Sequence, residues 1–239
     1  MTFKNIYNAL LDVLFPRICP VCDSVLASHE QHICTKCLTD IPITRYHTDK
    51  FNAMEQLFAG KVPIEHASGF FFYEKGNPYA NIIHDLKYHN QPQLGRFVAT
   101  LYAKQLVSSG YFSDIDYIIP IPLHPQKKRK RGYNQSELIA QGFADVFNVP
   151  VLTDIIVAVR DHDTQTAKGI YERWLNTQGI FDVINSEYLE NKHILLVDDV
   201  VTTGATLLSA ASTIAHIPGI KISLATLGEQ DSNNLFHTL

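Results

Sequence analysis

The chain has 239 residues, of which 46% are hydrophobic and 18% charged, enough apolar material for a substantial core. A net charge of −4 excludes a protein that binds nucleic acid by bulk electrostatics, so any such contact must come from a local basic patch. No apolar run approaches the ~20 residues that span a bilayer, and stable membrane insertion is not expected.

Taken in order, Phe3, Ile6, Leu10 and Leu14 recur at helical spacing and predict a short amphipathic helix over 3–15, ended by Pro16. It lacks a small-residue cleavage site, so a secretory signal is not indicated and a cytoplasmic location is expected.

All four cysteines then fall within nineteen residues, as Cys19-Pro-Val-Cys22 and Cys34-Thr-Lys-Cys37. Two such pairs can close four thiolates around one tetrahedral metal, which points to structural zinc. The gap between them is shorter than in common zinc motifs, although a hairpin could span it. Four thiolates also suit an iron–sulfur cluster, whereas two disulfides fit a reducing compartment poorly. A single redox pair would leave the second motif unexplained. Residues 1–45 are therefore expected to form an amphipathic helix and metal module, and residues 46–239 a second unit.

Residues 38–66 are weakly periodic, contain Pro42 and Pro63, and hold a short helix near Met54–Phe58. Gly69–Tyr73 reads as a strand, Glu74–Asn77 as a turn, and Pro78 opens a helix carrying Ile82, Ile83, Leu86 and Lys87. Lys87 follows an apolar face, where it could meet an anion or lie in solvent. A helix over Leu94–Val107 follows.

Beyond residue 115 strands and helices alternate. Asp116–Ile121, Val151–Val159, Ile194–Val197 and Lys221–Leu227 read as strands; Gln135–Phe147 and Thr203–Ile217 read as helices. This order predicts an α/β fold with a mostly parallel sheet flanked by helices, with ligands beyond the carboxyl ends of the strands.

Three loops meet there. After Ile121, Pro122-Leu123-His124-Pro125 leads into five consecutive basic residues, Lys127 to Arg131, and one X-Pro bond in it is a candidate for the cis form. The local positive field suits an anion, nucleic-acid phosphate among them. After Val159, the polar stretch Arg160–Lys168 is long for a strand-to-helix connection and reads as a mobile lid.

The third loop is the most informative. Ile194-Leu195-Leu196-Val197 is followed by Asp198-Asp199 and then Val200-Val201-Thr202-Thr203-Gly204-Ala205-Thr206, where a helix begins. A helix start offers unpaired N–H groups and a positive dipole end, which suits a phosphate; Gly204 allows close approach and the threonines add hydroxyls. The two carboxylates suit sugar hydroxyls or a hydrated metal. No Walker-type loop or Gly-x-Gly-x-x-Gly fingerprint occurs.

This stretch resembles the phosphoribosyl pyrophosphate (PRPP) signature of type I phosphoribosyltransferases. With the two Cys-x-x-Cys pairs, Leu86-Lys87-Tyr88, the Pro-x-Pro-Leu-His loop, Arg131-Gly-Tyr-Asn-Gln135 and the series Gln165, Arg173, Asn176 and Phe181, the chain resembles the ComF competence-protein family over nearly its whole length. Tyr133 stands where Phe is common, and His162 where many members have Thr.

The resemblance implies Mg²⁺-dependent PRPP binding and phosphoribosyl transfer to an unknown acceptor, linked to DNA uptake (natural transformation) or nucleotide salvage. It implies catalytic roles for Asp198, Asp199 and Arg131. Thr202, Thr203, Gly204, Ala205 and Thr206 would bind the 5′-phosphate. Leu123, His124, Arg129, Arg160, Gln165 and Lys87 would complete the substrate site. Cys19, Cys22, Cys34 and Cys37 would bind zinc. The alternative is a non-catalytic PRPP sensor, or an accessory protein that contacts single-stranded DNA or a competence helicase.

Overall fold

The computed structural model describes residues 16–88, 91–159 and 179–230. The expected helix over 3–15, the lid at Arg160–Lys168 with Gln165, and Arg173 and Asn176 lie outside the described residues.

A four-stranded parallel sheet forms the centre. Its strands are β1 (His66–Phe72), β2 (Tyr117–Pro120), β5 (His193–Val201) and β6 (Lys221–Glu229), in the order β1-β6-β5-β2. The β5 sequence explains why both faces are covered. Leu195 and Val197 join one apolar cluster and Ile194 and Leu196 join the other, as the two-residue period of a strand requires.

One face carries α3 (Ala80–Tyr88), α4 (Pro92–Ser109) and α6 (Gln135–Phe147), together with the cysteine module and its short helix α1 (Thr35–Thr39). The other carries α2 (Ala53–Phe58), α7 (Ala205–Ile214) and a hairpin of β3 (Ile156–Ala158) with β4 (Phe181–Val183). The result is the expected α/β fold with its sheet between helical layers.

Local chemistry sets the helix ends. Pro92 opens α4 and Gly110 closes it at φ 75°. The Asn134 side chain accepts a bond from the Ser136 N–H to start α6, and Asn148 ends it in the left-handed region. Gly142 lets α6 approach α4 closely: a Cβ there would lie 2.4 Å from the Arg96 carbonyl oxygen.

Three expectations are corrected. The apolar run Val151–Val159 is not one strand of the parallel sheet. Val151 makes only a single parallel bridge to Ile118, and the run then turns away so that Ile156–Ala158 pairs antiparallel with Phe181–Val183. The basic run is not a loop but a short helix, α5 (Pro125–Arg131), with Pro125 in its first turn and Gly132 at φ 89° past its end. No cis peptide bond occurs among the described residues.

Both outer strands have their free edges partly covered. Ile43 bridges Phe71 antiparallel, with the Thr44 N–H donating to Phe70 O and the Phe72 N–H to Pro42 O. On the other side the Ile118 N–H donates to Pro150 O and the Leu152 N–H to Ile118 O. No described helix is long and apolar enough to cross a membrane.

Candidate functional site

The carboxyl ends of β2 and β5 open into a cavity of about 390 Å³. Strand β5 runs further than expected and includes Asp198 and Asp199, both buried. The Ser136 hydroxyl donates to Asp198 Oδ1 at 2.9 Å, and the Asp199 N–H donates to the same oxygen at 2.9 Å. Lys87 Nζ, at the end of α3, lies 3.1 Å from Asp199 Oδ2.

Burial, and then the neighbouring Asp199 carboxylate, push the Asp198 pKa up to about 7, against the two hydrogen bonds that favour its anion. Burial pulls the Lys87 ammonium down. The Asp199 and Asp198 carboxylates outweigh that and hold its pKa above the ordinary value.

The turn after β5 forms a smaller cup of about 40 Å³, walled by Thr202, Thr203, Gly204, Ala205 and Thr206. Gly204 is the N-cap of α7 at φ 73° and offers no side-chain cap, so the first N–H groups of the helix face the cup. A Cβ at Gly204 would also meet the Phe58 ring at 3.1 Å. The carboxylates and hydroxyls gathered here are hard oxygen donors of the kind that hold Mg²⁺.

Leu123 and His124 line the opposite wall of the cavity. The Asn134 side-chain amide, buried, donates to Ile121 O at 2.9 Å and so ties this wall to the start of α6. Of the basic residues on α5, Lys127 lines the cavity whereas Arg129 is exposed and does not. Arg131 also stands off the cavity lining. Its guanidinium bonds to Gln135 and sits 5.7 Å over the Tyr88 ring. Arg160 and Gln165 lie outside the described residues. Phe181, from the β3–β4 hairpin, supplies apolar wall.

The sequence reading missed Ser136 and, within the basic run, singled out Arg129 and Arg131 rather than Lys127. A serine two residues after a helix-capping Asn, in the first turn of the helix, was the available signal for the first. For the second it was a lysine in the first turn after a strand-end loop.

The four cysteines form a separate centre. Their sulfurs lie within 4.8 Å of one another, unbridged, with Cys22 Sγ 3.6 Å from Cys34 Sγ. The Asp23 N–H donates to Cys19 O in one tight turn, and the Cys37 N–H to Cys34 Sγ in the other. Burial and the surrounding thiols push the Cys37 thiol well up, whereas bonds from Ser24 bring Cys22 down to about 6. Four such thiols become thiolates together only around a cation, and this donor set fits tetrahedral zinc.

The parallel sheet, its acidic strand end, the open helix start beyond it and the four-cysteine centre define a type I phosphoribosyltransferase-like protein with an N-terminal four-cysteine zinc ribbon. The family model "Phosphoribosyl transferase domain" matches residues 133–236, and "Double zinc ribbon domain" matches residues 10–50. "Competence protein F" of Haemophilus influenzae is 29% identical over 134 residues, 54% of this chain and 58% of that protein. "Competence protein ComFC" of Bacillus subtilis is 35% identical over 94 residues, 39% of this chain and 36% of that one. "DNA utilization protein YhgH" of Escherichia coli O157:H7 is 24% identical over 200 residues, 82% of this chain and 83% of that one. The chain spans about six-tenths of the length of the curated relatives it matches first. The chain resembles these competence and DNA-utilization proteins, in keeping with the ComF family.

Proposed function

We propose that the chain binds PRPP with Mg²⁺, transfers its phosphoribosyl group to an acceptor, and serves DNA uptake, the role that the names of its relatives indicate. Residues 1–45 act as the metal module and residues 46–239 as the ligand-binding unit. The observation that carries the reading is the open N-terminus of α7 beside two buried carboxylates at the end of β5. That arrangement matches a phosphate attached to a polyol.

In this reading the 5′-phosphate sits on the N–H groups and hydroxyls of the Thr202–Thr206 turn. The acidic pair holds the ribose hydroxyls, and Leu123, His124 and Lys127 face the pyrophosphate. A magnesium ion, held through Asp198 and Asp199, would offset the charge of the pyrophosphate. Lys87 balances the carboxylates until ligand arrives, then becomes available to the departing anion. Arg131 acts through Gln135 and Tyr88, at the rim. Arg160–Lys168 would exclude water.

A second reading is favoured by the exposed Arg129 and Lys130 on α5 and by Tyr88, 67% exposed with the Arg131 guanidinium over its ring: single-stranded DNA contacting this rim. Calorimetry with PRPP and Mg²⁺ tests the first. Binding is expected in the wild type and absent in Asp198→Asn with Asp199→Asn that remains folded. Unchanged affinity in that variant overturns the site. Salt-sensitive DNA binding, lost on neutralising Arg129 and Lys130 with PRPP binding intact, supports the second.

A further inference from the structure

Helix α3 touches the cysteine module at one end and the acidic pair at the other. The Tyr79 hydroxyl, just before it, donates to Cys37 O at 3.1 Å, and the Asn81 side-chain amide donates to Pro20 O at 3.0 Å. Pro20 lies inside the first Cys-x-x-Cys turn and Cys37 closes the second. Each half of the metal centre therefore presents one main-chain carbonyl to the start of α3.

The helix is gripped along its length. Ile82, Ile83 and Leu86 are buried in the same apolar cluster as Cys19, Cys34 and Cys37. At the far end the Tyr133 hydroxyl donates to Leu86 O, and the next residue is Lys87, 3.1 Å from Asp199. Nine residues of α-helix make a stiff rod of about 13 Å. A rod fixed at its start by the cysteine turns delivers its last side chain to one place.

We propose that Tyr79 and Asn81 are positioning residues that couple the four-cysteine centre to the ligand site, setting Lys87 against Asp199 through their hold on the two cysteine turns. The consequence for PRPP rests on the function proposed above. The placement of Lys87 does not.

The test uses the full-length, zinc-loaded chain. The ¹⁵Nζ resonance of Lys87 is identified by its loss in Lys87→Met and followed in Tyr79→Phe with Asn81→Leu. With zinc content unchanged, that variant is expected to lose the shift and slow exchange of an ion-paired Lys87. Its Mg²⁺–PRPP affinity is expected to fall about tenfold, and adding Lys87→Met should weaken it no further. An unaltered Lys87 resonance in the zinc-loaded variant, or losses that multiply in the triple variant, overturns the coupling. If the wild type binds no PRPP, the function above fails while the resonance still decides this proposal. Should the double variant not fold, Tyr79→Phe alone is read in the same way.

Discussion

Asp198 keeps its proton to about pH 7, because it is buried beside a second carboxylate. An aspartate in an unfolded chain ionises near ~3.9, so between roughly pH 4 and 7 the folded chain holds the extra proton. Stability drawn from this residue therefore falls as pH rises through that window. Ligand binding runs the other way, since a metal or sugar hydroxyl needs the carboxylate. PRPP–Mg²⁺ affinity should be about tenfold weaker at pH 6 than at pH 8, by calorimetry at constant ionic strength. An affinity independent of pH would remove Asp198 from the contact. Asp198→Asn keeps the acceptor for Ser136 and loses a buried charge. It should raise stability at pH 8 by about 1 kcal/mol in urea unfolding while binding is lost. The acidic pair and the Thr/Gly turn were legible because their chemistry is local. Ser136 was not, because it meets Asp198 across a separation of 62 residues. The direction of Arg131 was equally hidden: a charge run does not say which of its members turn inward.

At the level of elements, capping chemistry was readable and partnership was not. Pro125 and Gly132 bracket α5 in the sequence itself, yet five like charges in a row argued for a loop. The apolar run at Val151–Val159 shows that hydrophobicity marks a strand without choosing its sheet. A related lesson concerns Gly142 in α6. Alanine is ordinarily the better helix residue by about 1 kcal/mol. Here the added methyl would meet the Arg96 main-chain oxygen at 2.4 Å, and α4 would have to move. Gly142→Ala should therefore destabilise the chain by about 1–3 kcal/mol, read as a lower urea midpoint. A neutral or stabilising result would mean that α4 and α6 are looser than their spacing implies.

Across the whole molecule, strands separated by helices gave the layered sheet, and clustered cysteines gave the metal centre. The depth to which that centre is built into the protein was not legible. Cys19, Cys34 and Cys37 share one apolar cluster with α3, α4 and the sheet. One zinc per chain is expected by metal analysis, and chelation should lower a single thermal transition of the entire described body rather than melt a module by itself. Two separate transitions would contradict that continuity. The strap at Pro42–Thr44 extends the point. An uncovered outer strand is a template for another chain, and β1 is shielded by this strap, just ahead of the boundary proposed at residue 45. A fragment starting at residue 46 would be cut free of its own edge guard. It should self-associate, visible as rising light scattering at concentrations where the full chain stays clear. What the ribbon contributes to the larger unit is, in that sense, resistance to aggregation.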